Sequence, residues 1–100
     1  MNKKIAIPHQ QLIELAKRHG LKELAFFGSI LSDRFGPESD IDVLIEFLPD
    51  VNASLYDLVD IKDELETIFN RKVDVVEKAG LRNPWRRHGI LSHYEVIYAA

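Results

Sequence analysis

Residues 26–47, FFGSILSDRFGPESDIDVLIEF, set an apolar run on either side of a polar, turn-rich stretch. Phe26 and Phe27 end one strand-like segment, and residues 40–47 (DIDVLIEF) form the next. Asp40 and Asp42 stand where that second segment enters a buried sheet. A lone carboxylate is costly to bury, and two together repel unless a cation lies between them. Side chains two apart on a strand share a face, with Cα atoms roughly 6.5–7 Å apart, so these two acids project together.

On the N-terminal side, residues 8–19 place Leu12, Ile13, Leu15 and Ala16 on one helical stripe, and Gly20 takes the C-cap glycine position. Residues 21–28 (LKELAFFG) then read as a short strand, and one or two helical turns are expected over 29–35. GPES at 36–39 is turn chemistry. On the C-terminal side, Pro49-Asp50 ends the second strand. Ser54 to Asp57 suit a helix start, and Leu58, Ile61, Leu65, Ile68 and Phe69 recur at three- and four-residue steps. Residues 71–78 (RKVDVVEK) form a third strand, interrupted by Asp74. Asn83 before Pro84 fits an N-cap with proline at the first helical position. The final helix is expected to run from there to about Tyr98, with Gly89 its weak point. This alternation implies an α/β (α+β) fold: a small mixed β-sheet flanked by helices, in one domain spanning residues 1–100.

One hundred residues with 46% apolar content suffice for a real core. Thirteen basic against sixteen acidic residues give a net charge of −3, which does not point to non-specific nucleic-acid binding. The stretch from Glu77 onward is locally basic, with Lys78, Arg82, Arg86 and Arg87 against Glu77 and Glu95. With no cysteine there is neither a disulfide nor a thiolate zinc site. No apolar run approaches the ~20 residues of a membrane span, and the first four residues are not followed by a signal-peptide core. A cytoplasmic protein is expected.

Hard oxygen ligands without a neighbouring His or Cys suit Mg²⁺ or Mn²⁺. Asp74 is the other acid set inside a strand-like apolar run; if its strand neighbours the second, three carboxylates converge. Such a cluster is what metal-assisted phosphoryl transfer requires. Gly28-Ser29, between a strand and a helical turn, lets backbone N–H groups approach a phosphate, and the Ser29 hydroxyl can donate to it. Ser32 is a candidate for a second hydroxyl. Each piece alone has a plainer reading, as a turn, a capped strand entry or an edge residue. Together they point to a nucleotide site. A calcium loop does not fit, because Leu44 and Ile45 occupy its next ligand and glycine positions.

The combination Gly28, Ser29, then Ser39-Asp40-Ile41-Asp42, then Asp74 resembles the pattern of the minimal nucleotidyltransferase (MNT) family, in the DNA polymerase β-like superfamily. The resemblance covers nearly the whole chain and extends to residues 72–99. It implies that Asp40, Asp42 and Asp74 are catalytic and hold Mg²⁺, with Asp74 assisting deprotonation of the attacking hydroxyl. It implies that Gly28, Ser29 and Ser39 bind the nucleotide, with ATP as substrate. The implied role is that of an antitoxin transferring AMP from ATP to a tyrosine of a partner HEPN-domain ribonuclease toxin. One departure stands out: many members carry Arg-Gly where this chain has Ser32-Asp33. Arg34, Arg82, Arg86 and Arg87 are candidates to compensate. The departure motivates an alternative, a catalytically weak antitoxin that neutralises by complex formation. Transfer to RNA or a small molecule is a third reading, disfavoured because nothing here resembles an acceptor-gripping domain.

The four histidines lack a metal-binding pattern. Trp85, Tyr94 and Tyr98 are expected on the last helix as core or interface anchors, or stacked on adenine. The acids at 57, 60, 63, 64 and 66 give the middle helix a charged face, either for solubility or for docking a basic partner.

Overall fold

The computed structural model describes residues 5–100. Residues 1–4, read above for a targeting segment, lie outside them. Helix α1 (His9–Arg18) buries Leu12, Leu15 and Ala16, and Gly20 follows its cap at φ +68°. Strand β1 (Leu21–Phe27) leads into a single 3₁₀ turn, Gly28–Leu31. Strand β2 (Ile41–Phe47) is joined to β3 (Val73–Glu77) through helix α2 (Leu55–Phe69). Helix α3 (Pro84–Ser92) precedes strand β4 (Tyr94–Ala99).

The sheet order is β3-β2-β1-β4, with β2/β3 parallel and the other pairs antiparallel. The small mixed sheet flanked by helices is therefore borne out. The last element is corrected: the final helix stops at Ser92, and residues 94–99 are a fourth strand carrying Tyr94 and Tyr98. Tyr, Val and Ile dominate that segment and favour the pleated surface. Beside β1 they also pair an edge that would otherwise stand open, with Phe27 opposite Tyr94 and Leu24 opposite Tyr98.

The two sheet faces differ in burial. Leu24, Phe26, Ile41, Val43, Ile45 and Val73 point toward α1 and α2 and form the main core. Ala25, Phe27 and Leu44 point the other way, into a smaller cluster with Leu81 and Ile90. By strand alternation Asp42 shares the face of Leu44, and Asp74 that of Val76. Both acids thus lie on the less covered face. Burial of the main face supplies the folding free energy, roughly 1.5–3 kcal/mol for each fully buried large aliphatic or aromatic side chain.

Candidate active site

Asp42 and Asp74 are the second residues of two parallel strands, so their starts fall at the same end of the sheet. The pairing register sets Asp42 directly beside Asp74, and on its other flank opposite Phe27. Asp40 immediately precedes β2. All three carboxylates line one open cleft of about 510 Å³, together with Lys62, Glu66, Lys72 and Val73.

The glycine turn abuts this cleft. Gly28 has φ +77°, and a methyl group at its Cα would overlap Asp42 Oδ2 and stand 3.1 Å from its Cγ. Glycine is required there twice over, for the left-handed backbone and for the space the carboxylate occupies. The sequence motif and the acidic pair are thus one site in space.

Burial, then the charges of Asp74 and Asp40, push the Asp42 carboxyl above its usual range, while Arg86 pulls it down. Crowded carboxylates of this kind suit a hard dication, since its charge offsets their repulsion, and the cleft is lined by neither His nor Cys. Among the described residues no three such ligands are already drawn together as a cage.

Ser29 lies half-buried in the turn beside Gly28. Ser39 closes the turn before Asp40: its Oγ accepts the Gly36 N–H at 3.0 Å, and its own N–H donates to the Gly36 carbonyl at 3.1 Å. The Ser32 hydroxyl donates to the Ser29 carbonyl at 3.0 Å and accepts the Arg34 N–H at 3.2 Å, both inside its own turn.

Two side chains were missed by sequence reading. The Arg71 guanidinium donates to the carbonyls of Gly36 (3.1 Å) and Ser39 (3.0 Å) and lies 4.6 Å over the Phe35 ring. It clamps the loop that delivers Asp40. Glu66 brings a fourth carboxylate to the cleft, where Oε2 accepts the Val73 N–H at 3.0 Å and holds the start of β3. Its one sequence signal is an acid near a helix C-terminus, where the macrodipole disfavours it. Arg71 carries no local signal, because its partners are 32 and 35 residues away.

A mixed sheet that sets paired carboxylates against a glycine-serine turn has the parts of a nucleotide-phosphate site. The nucleotidyltransferase domain family matches residues 9–97, and the chain belongs to it. Its relatives include MJ0435 of Methanocaldococcus jannaschii, named as a protein adenylyltransferase (39% identical, 67% of this chain and 70% of that protein). Protein adenylyltransferase MntA of Thermococcus cleftensis is 31% identical over 70% of this chain and 69% of its own length. A solved structure described as a minimal nucleotidyltransferase superposes with TM-score 0.73 at 29% identity, covering 86% of this chain and 85% of the other. A toxin–antitoxin crystal structure with AMP-PNP shares the fold (TM-score 0.76, 14% identity, 94% of this chain and 75% of the other). The resemblance to the minimal nucleotidyltransferases is borne out.

Proposed function

We propose that this chain is a cytoplasmic antitoxin acting as a Mg²⁺-dependent protein adenylyltransferase, which moves AMP from ATP to a tyrosine of a partner HEPN ribonuclease toxin and so silences it. The observation that carries this reading is the register of Asp42 beside Asp74, with Gly28 packed on the Asp42 carboxylate. Asp40, Asp42 and Asp74 would hold the metal, which neutralises charge developing on the phosphates. The Gly28-Ser29 turn holds the nucleotide's tail with backbone N–H groups and the Ser29 hydroxyl, and Ser39 keeps Asp40 in place through its turn. The tyrosine oxygen attacks the α-phosphorus, its proton passes to the Asp74 carboxylate, and the bond to the departing pyrophosphate breaks. An acceptor on a partner protein suits a surface where Leu55 and Tyr56 are 73% and 81% exposed on an acidic helix.

The test is to incubate the purified pair with ATP and Mg²⁺ and map adducts by mass spectrometry. One or more adenylylated toxin tyrosines are expected, and about a hundredfold less adduct or lower with Asp42→Asn. Intact ATP binding without any transfer would contradict the reading, and extended RNA in place of modified toxin would redirect it. The second reading, neutralisation by complex formation, is favoured by Ser32-Asp33 in place of the family's Arg-Gly. It alone expects an Asp40→Asn/Asp42→Asn double variant to protect cells fully.

A further inference from the structure

We propose that Arg86, reaching from α3, supplies the cationic contact to the nucleotide's β- and γ-phosphates that Ser32 does not provide. The proposal rests on the nucleotide reading above and assigns one more residue to that site.

Position 32, four residues after the motif glycine, is neutral, and its hydroxyl donates to the Ser29 carbonyl. A triphosphate arriving here meets four carboxylates, with Lys62 and Lys72 also lining the acidic cleft, and gains from further positive charge on the side of the glycine turn. Helix α3 faces the turn from across a gap of about 240 Å³, walled by Gly28, Leu31 and Ser32 on one side and Gly89, Ile90 and His93 on the other. Ile90 anchors the helix in the cluster with Phe27 and Leu44. Arg86 lies four residues before Ile90, hence on the same helical face and one turn away. The helix start is fixed, because Asn83 Oδ1 accepts the N–H groups of Trp85 (2.9 Å) and Arg86 (3.2 Å).

Arg34 and Arg82 are exposed and lie in loops, outside the helix face that Ile90 sets against the sheet, and three further arginines are committed elsewhere. Arg18 pairs with Glu64, Arg71 with the Gly36 and Ser39 carbonyls, and Arg87 with the Lys78 carbonyl at 3.2 Å. Among the described residues the Arg86 guanidinium makes no hydrogen bond or salt bridge, and its charge is the cationic one acting on Asp42. A permanently charged fork of N–H donors, without a partner and beside an acidic nucleotide site, matches phosphate in charge and shape.

The test is calorimetric titration of ATP and of AMP, each with Mg²⁺, into wild type, Arg86→Ala and Arg86→Lys, with circular dichroism melts to confirm folding. Arg86→Ala is expected to weaken ATP binding about ten- to a hundredfold. AMP, which lacks the two outer phosphates, keeps its affinity within about twofold, and Arg86→Lys recovers part of the loss, as a charge contact requires. Unchanged ATP affinity in Arg86→Ala would overturn the proposal. So would parallel losses for ATP and AMP, which mark a general disturbance of α3. ATP bound by no version, wild type included, would instead overturn the nucleotide reading itself and this proposal with it.

Discussion

A methyl group at position 28 meets Asp42 Oδ2 head-on, so the turn and the acid must be changed with each other in mind. Gly28→Ala is expected to cost about 1–2 kcal/mol for the left-handed backbone alone, and more as Asp42 is displaced. Urea unfolding measures the first effect and loss of transfer the second. Asp42→Asn keeps the shape and removes the charge. Transfer should fall by about a hundredfold or more, the scale of losing a principal electrostatic contact in a transition state. Stability moves the other way. Folding raises the Asp42 pKa, so the native state carries a penalty wherever the group is ionised, and none once pH falls below its unfolded value. In metal-free buffer at neutral pH, Asp42→Asn should therefore melt a few degrees higher than wild type, and the gap should close on acidification. These residues were legible in the sequence for a physical reason. A carboxylate inside an apolar strand, and a glycine at a strand's end, are both unfavourable choices for a plain sheet.

Element placement depends on tethers between distant segments. Arg71 stitches the 36–39 loop to the start of β3, and its removal takes away two charged hydrogen bonds beneath Asp40. Arg71→Ala should cost about 2 kcal/mol in urea unfolding and weaken metal binding, whereas a substitution at exposed Arg34 should do neither. Helix α3 is held down by Ile90 with Leu91 against the sheet, so its N-cap matters more than usual. Asn83→Ala should lose about 1 kcal/mol and loosen the residues just inside the cap. The starts of α2 and α3 and the apolar face of α2 were readable from local capping and periodicity. Strand β4 was not, because its six residues follow directly on a true helix and share its apolar spacing. Pairing with β1 decided the outcome. Arg71 and Glu66 were hidden for the same kind of reason, since their partners are contributed by other elements.

At the scale of the whole molecule, the fold has one thickly packed face and one working face. The main core packs beneath β1 and β2, and the less covered side carries Asp42, Asp74 and α3. Within the described residues no helix is long and apolar enough to cross a membrane. The central claim is that Asp40, Asp42 and Asp74 together hold a hard dication beside the nucleotide. Mn²⁺ titration followed by electron paramagnetic resonance, with a non-hydrolysable ATP analogue present, tests it most directly. Asp40→Asn, Asp42→Asn and Asp74→Asn are each expected to weaken Mn²⁺ binding by about tenfold or more. An Asp74→Asn protein that binds Mn²⁺ as tightly as wild type would contradict it.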